Sequence, residues 1–197
     1  MGAKQAVFGL DLSQSMRTFA CAALSALLPL AAMAIETPDY KVFSQDGKFE
    51  VRDYPAMTLA RTAMGDGDFM RLFRYISGGN EGEQKIAMTA PVLVQQSGED
   101  RGMSFVVPRE VAAGKVPAPK AAEVTVDTTP AARFAVFTYS GRRTESNEAE
   151  ALEKLRAWMR GKKLDPAGDP MFGYYDPPWT LPFLRRNEVM LRVASDS

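Results

Sequence analysis

One internal repeat restricts the architectures open to this chain more than any other feature. VRDYPAMTLA at 51–60 lies over VDTTPAARFA at 126–135. Val51, Pro55, Ala56 and Ala60 match Val126, Pro130, Ala131 and Ala135 at a constant offset of 75. The periodicity around each copy changes in the same order. YKVFSQ and FEVRDY alternate apolar and polar residues about Asp46-Gly47, a β-hairpin, and MTLARTAM continues as strand. GDGDFMRLFRYISGGN then switches to helical spacing. Phe69, Leu72, Phe73 and Ile76 fall at i, i+3, i+4 and i+7, with Asp66 or Asp68 as N-cap and Gly78-Gly79 as terminator. KIAMTAPVLVQQ and GMSFVVP follow as strands about a polar turn at Ser97–Arg101. Beyond a loop over Arg109–Ala122, which carries Pro117 and Pro119, the plan restarts. EVTVDTTP and RFAVFTYSG read as strands. ESNEAEALEKLRAWMRG reads as a helix with Leu152, Leu155 and Met159 inward and Gly161 ending it. PMFGYYDPPWTLPFL and NEVMLRV close the chain in extended form. Strand, strand, helix, strand, strand therefore occurs twice, which predicts two α+β halves packed into one barrel-like domain. The period is too long, and the copies too few, for a solenoid.

The N-terminus stands outside this plan. From Met16, which reads as the natural start, MRTFACAALSALLPLAAMA offers a cationic Arg17, an apolar run and a small-x-small ending at Ala32-Met33-Ala34. That is the layout of a secretory signal peptide over residues 1–34, cleaved between Ala34 and Ile35, with one domain over 35–197. A periplasmic or secreted location follows. The run from Phe19 to Ala34 holds 16 residues and contains Pro29. It is shorter than the roughly 20 residues of a spanning helix, so no membrane span is expected after cleavage. Lys+Arg and Asp+Glu each number 24. With no basic arm or dense cationic run, nucleic-acid binding is not expected.

Cleavage also removes Cys21, the only cysteine, from a chain that has no histidine. Thiol nucleophiles, disulfides, Cys/His zinc sites, imidazole acid-base catalysis and Ser-His-Asp triads are excluded together. So are the two commonest strong haem ligands, which leaves Met, Tyr or no protein ligand for such a group.

Three stretches could carry function. KIAMTAPVLV is apolar on both faces, with Ile86, Met88, Ala90, Val92 and Val94 on one and Ala87, Thr89, Pro91 and Leu93 on the other. Pro91 cannot donate to a ladder. The stretch reads either as a bent core strand or as one whose bend opens onto a pocket lined by Met88. On the first helix, Arg71 and Arg74 are neighbours beside Met70 and Tyr75. They form either a solvated face or a clamp for the carboxylates of a flat ligand. Near the C-terminus, Met171, Phe172, Tyr174, Tyr175, Trp179 and Phe183 are interleaved with Pro177, Pro178 and Pro182. Rings on so rigid a loop either stack on a planar ligand or plug a barrel end. Arg185, Arg186 and Glu188 flank the last strand and could form structural ion pairs.

RYISGGN, KIAMTAPV and YDPPWTLPFLRRNEV, in that order and at these separations, resemble the SOUL family of haem-binding proteins from about Tyr40 to Val193. The resemblance implies a distorted antiparallel β-barrel of two pseudo-symmetric halves with two main helices. It also implies non-covalent binding of haem or another porphyrin in a hydrophobic groove beside the first helix. By position, the groove is Phe69, Leu72, Phe73 and Ile76 with Met88, joined by Tyr175 and Trp179 of the aromatic loop. Arg74 stands where a basic residue can meet a propionate. Thr180 stands near the place of a second basic residue found in some members, so a two-point clamp is not matched. Helix geometry adds a constraint, since the four apolar residues of one stripe cannot all be both core anchors and ligand surface. The expectation is a non-enzymatic, exported tetrapyrrole-binding protein. The alternative is a carrier or sensor of another amphipathic or cationic molecule. Asp53, Asp176 and Glu188 are the acids an enzyme would use, and each has a ready structural reading.

Overall fold

Gly47 supplies the positive φ of +61° that a tight turn needs. The chain accordingly folds back between β1 (Lys41–Asp46) and β2 (Phe49–Tyr54). The computed structural model in which this is seen describes residue 2, residues 35–98 and residues 101–194. Apart from Gly2, the segment read as a signal peptide lies outside the described residues. The remaining strands are β3 (Met57–Ala63), β4 (Val92–Gln95), β5 (Gly102–Val106), β6 (Val124–Thr129), β7 (Ala132–Tyr139), β8 (Pro166–Tyr174) and β9 (Asn187–Val193). The helices are α1 (Asp68–Ile76), the single turn α2 (Arg109–Ala112) and α3 (Glu145–Lys162). The turn α2 falls inside the stretch expected to be loop.

All nine strands form one antiparallel sheet in the order β1-β2-β7-β9-β8-β4-β5-β3-β6. The 75-residue offset carries β2 and β3 onto β6 and β7 and β4 into β8, and element order then makes β9 the counterpart of β5. From its centre outward the sheet then reads β8-β9-β7-β2 on one side and β4-β5-β3-β6 on the other, the same order twice. Each copy has handed its first strand to the other half. Tyr54 pairs with Ala132 and Met57 with Thr129, so the two ladders run on in a single register. Between those pairs the matched Pro55-Ala56 and Pro130-Ala131 steps lie opposite one another, where neither proline N–H could have served a ladder. The repeat read from four letters is thus the pseudo-twofold axis of the fold. The sheet is open: β1 and β6 are its edges and do not pair with each other, so the expected barrel does not close.

Alternation along the strands makes two apolar layers. On one face Val94, Phe172 and Val189 are cross-strand neighbours. There α1 packs Leu72, Tyr75 and Ile76 against Ala60, Met103 and Phe105, and α3 packs Ala151, Leu155 and Met159 against Ala135, Phe137 and Leu191. The opposite face carries Leu59, Leu93, Val106, Val136 and Met190.

Local readings fare unevenly. Gly67, in the left-handed region, precedes α1, and no side chain caps it. Of the N-cap expected at Asp66 or Asp68 only a local contact survives, Asp68 Oδ1 accepting from Phe69 N–H at 2.6 Å, while the Arg71 guanidinium ties down the entering turn by donating to Ala63 O, Asp66 O and the Thr62 hydroxyl. The Gly78-Gly79 stop holds: Gly79 N–H donates to Arg74 O at 2.8 Å, and a Cβ there would press on that carbonyl at 2.7 Å. In α3 the Thr144 hydroxyl accepts from Asn147 N–H at 3.3 Å, and Lys163, left-handed, ends the helix just past Gly161. KIAMTAPVLV is strand only from Val92, after a cis Ala90–Pro91 peptide. Before it, only isolated bridges occur, Lys85 to Ser77 and Thr89 to Glu36. Thr89 meets its polar needs by donating to Val106 O at 2.6 Å.

Candidate functional site

The helix α1 has two apolar faces, and they do different things. Its inner face is Leu72, Tyr75 and Ile76, all buried, with the Tyr75 hydroxyl donating to Pro117 O at 3.0 Å. Its outer face leaves Phe69 39% exposed, Met70 46% and Phe73 42%. The rings of Phe69 and Phe73 lie 6.1 Å apart and within 13° of parallel, and Phe69 sets its edge on Phe105 at 5.3 Å. Together they make a flat, solvent-facing aromatic surface on a helix whose other side is anchored in the core. Arg74 is exposed next to it and makes no ion pair or side-chain hydrogen bond among the described residues. Arg71 is committed to Thr62, Ala63 and Asp66 of the segment before the helix, so the arginine pair does not act as one clamp. Met88 is half-buried against the same core cluster.

The eight residues anticipated from sequence therefore divide. Leu72 and Ile76 are core anchors, while Phe69, Phe73 and Arg74 are accessible and Met88 is partly so. The other two are placed differently. Tyr175 donates to Glu188 at 2.9 Å with the Arg186 guanidinium 4.0 Å over its ring. Trp179 is 84% exposed on the loop between β8 and β9.

Tyr175 belongs to a buried polar network that sequence reading saw only in part, as possible pairs among Arg185, Arg186 and Glu188. Arg52 is almost fully enclosed and holds Glu188 by two parallel hydrogen bonds of 2.9 and 3.0 Å. The Arg52 guanidinium also reaches Glu50 at 2.5 Å and the Tyr54 hydroxyl at 3.1 Å, and lies 4.3 Å over the Tyr40 ring. Arg186 adds a second cation to Glu188 at 2.6 Å. Burial pushes the Glu188 carboxyl up, but hydrogen bonds and charge from Arg52 and Arg186 outweigh it and hold the pKa below the usual range. This network borders a small cavity of about 10 Å³ lined by Tyr40, Tyr54, Leu93, Phe134, Tyr175 and Met190. A cationic guest would need a free carboxylate there, and Glu188 already carries two arginines. Asp53 is likewise held, by Arg133 at 2.7 and 2.9 Å, and Asp176 accepts from Arg186 N–H at 2.6 Å.

Two open grooves flank α3. One of about 800 Å³ runs between β1 and the end of the helix, past Phe43, Asp53, Arg133, Trp158 and Lys162. The other, about 880 Å³, is lined by Met64, Arg101, Arg143, Leu152 and Phe172. Neither includes any of the eight residues.

Haem would ask for a flat apolar wall, a cation for its carboxylates and, for tight iron binding, a strong ligand. The outer face of α1 supplies the first and Arg74 the second. Against the third, burial pushes the phenols of Tyr54, Tyr75, Tyr139, Tyr174 and Tyr175 up, Tyr54 to about 12, which disfavours tyrosinate. The residues fit the macrocycle and its propionates better than they fit the iron. Among the described residues no cluster of His, Cys, Asp or Glu could hold a bare metal ion, and no helix is long and apolar enough to cross a membrane.

Comparison with known proteins bears on this geometry. A family model described as SOUL heme-binding protein matches residues 35–192. Heme-binding protein 2 of Homo sapiens is 30% identical over 182 residues, covering 82% of this chain and 87% of that one. The C-terminal domain of EcmrR superimposes with a TM-score of 0.52 at 12% identity, over 80% of this chain and 99% of that one. A structure described as a hydrolase from Listeria innocua does so at 0.50 and 12%, over 77% and 94%. At such identities these two likenesses concern the fold alone.

Proposed function

The chain belongs to the SOUL haem-binding protein family, and from that premise we propose that it holds a tetrapyrrole non-covalently against the outer face of α1. One observation carries the reading. A helix of nine residues, anchored by Leu72, Tyr75 and Ile76, leaves Phe69, Met70 and Phe73 in water. Such exposure is a standing free-energy cost unless something covers it. A tetrapyrrole brings a planar apolar ring with two carboxylates. Phe69 and Phe73 would take the ring, Met70 and the partly buried Met88 its margin, and Arg74 one carboxylate. Leu72 and Ile76 act only by holding the helix in place. No imidazole is present, so affinity rests on burial and on Arg74, with haem and metal-free porphyrin as equivalent ligands. We read the protein as a carrier or store acting after export, not as an enzyme. The acids an enzyme would use are engaged with Arg52, Arg133 and Arg186.

Titrating the protein with haem and with metal-free protoporphyrin tests this. The expected result is equal affinity within about threefold, well under 1.4 kcal/mol. A preference for the iron form beyond about tenfold would sink a ligand-free groove and point to Met or Tyr ligation.

A further inference from the structure

The loop between β8 and β9 carries a second apolar surface, one that the α1 reading does not use. Trp179 is 84% exposed, Leu181 55%, Phe183 71% and Leu184 63%. Four large apolar side chains within six residues stand in solvent, although the backbone beneath them is tied at several points. Thr180 N–H donates to Pro177 O at 3.0 Å, Leu184 N–H to Leu181 O at 2.9 Å, and Gly141 N–H to Pro182 O at 2.9 Å. The Arg185 guanidinium donates to Thr180 O at 2.8 Å and to Pro178 O. The loop is thus a braced wedge. Its residues face outward because its geometry is satisfied without them.

Charge and area together select the occupant. Pro177–Arg186 contains two arginines and no acid. The Gly141 to Pro182 contact brings Arg142 alongside, exposed and without an ion pair among the described residues. The bordering acids Asp176 and Glu188 turn inward onto Arg186, which leaves Glu145 as the nearest outward-facing carboxylate in sequence. A chain of zero net charge therefore gathers a local cationic rim around this tip. At ~150–250 Å² for each large side chain, and given these exposures, the wedge offers roughly 500 Å². That is below the ~800 Å² per partner of a stable dimer. A short apolar tip ringed by arginine, with Trp at its crown, has instead the chemistry of an interfacial anchor.

We propose that this loop seats the protein on an anionic phospholipid surface, with Trp179, Leu181, Phe183 and Leu184 entering the headgroup–acyl boundary and Arg142 and Arg185 meeting lipid phosphates. This does not depend on what α1 binds.

The test uses the full chain with Trp158→Phe, which makes Trp179 the sole tryptophan reporter. Because the readout sits in the loop, partitioning of the apolar Phe19–Ala34 segment does not mimic it. With vesicles of phosphatidylcholine and phosphatidylglycerol at 3:1, Trp179 emission shifts to the blue and is quenched by brominated acyl chains. Leu181→Ser with Phe183→Ser weakens this partitioning by about tenfold or more. Arg142→Ala weakens it by about fivefold on the anionic vesicles and leaves pure phosphatidylcholine unaffected. If Trp158→Phe misfolds, the difference spectrum between the unaltered chain and Trp179→Phe gives the same readout. An unmoved Trp179 overturns the proposal. So does equal partitioning into neutral vesicles, or a lipid-independent shift that grows with protein concentration and so reports a second copy.

Discussion

Replacing Arg52 by Met should destabilise this protein more than any comparable surface change, although the substitution places an apolar side chain in a buried strand. The Arg52 side chain is 2% exposed and that of Glu188 0%, and their two hydrogen bonds are 2.9 and 3.0 Å. Removing one partner of such a pair ordinarily costs about 3–5 kcal/mol, because the survivor is left charged and dry. Here Glu188 keeps Arg186 at 2.6 Å and the Tyr175 hydroxyl at 2.9 Å, which places the cost near the lower end, about 3 kcal/mol. For a domain of this size that corresponds to a fall of roughly 6–12 °C in Tm. Urea unfolding followed by far-UV circular dichroism gives the number directly. Glu188→Met should cost a similar amount by stranding Arg52 instead. Combining the two should recover much of the loss, since a well-packed apolar pair can equal a buried ion pair. A loss under about 1 kcal/mol for Arg52→Met, or a double variant as unstable as the sum of the singles, would refute the view that desolvated charge pairing holds this face.

Two further outcomes follow from the same geometry. Each exposed Phe on α1 offers roughly 80 Å², about 40% of a large side chain; if a planar ligand covers half, Phe73→Ala should weaken porphyrin binding about fivefold, and Phe69→Ala with Phe73→Ala about thirtyfold, by absorbance titration. Glu188 has its folded pKa held below the ordinary Glu value of about 4.3, so it contributes stability that is complete above that value and is lost as pH falls toward the folded pKa; urea midpoints between pH 6 and pH 3 should decline in the unaltered chain and decline less in Glu188→Gln, and parallel declines would remove Glu188 from the account.

What the sequence revealed depended on how local the cause was. The hairpin at Gly47, the glycine stop of α1 and the two-copy plan each have their cause within a few residues or in a direct letter match. The exchange of first strands between halves does not, because pairing β2 with β7 and β3 with β6 is a long-range event that no local period encodes. The stripe of α1 was legible as a helix, but not how its four apolar residues divide between core and surface. Leu72 and Ile76, named with the groove, are buried. Tyr75, set among the polar residues, is in fact buried, because its hydroxyl finds Pro117 O while its ring packs in the core. That displaces Phe69 and Phe73 to the surface. Arg52 was hidden for a similar reason. Alternation in FEVRDY sends it to a polar face, and only Glu188, 136 residues away, makes that face an interior.

The two copies of the repeat have diverged in a way that bears on the proposed site. The second copy's helix, α3, runs 18 residues and covers its apolar side. It faces water with charged pairs one turn apart, Glu150 with Lys154 and Glu153 with Arg156. Nothing on it asks to be covered. Its counterpart α1 has half that length and shows water two stacked phenylalanines, a methionine and an arginine without an ion pair among the described residues. Pseudo-symmetric halves share the same packing needs, so α3 demonstrates that this fold does not require an apolar outer surface on its helices. The greasy face of α1 is therefore not a by-product of the architecture. In the proposed reading it is the place where a flat ligand would recover the free energy that exposure costs.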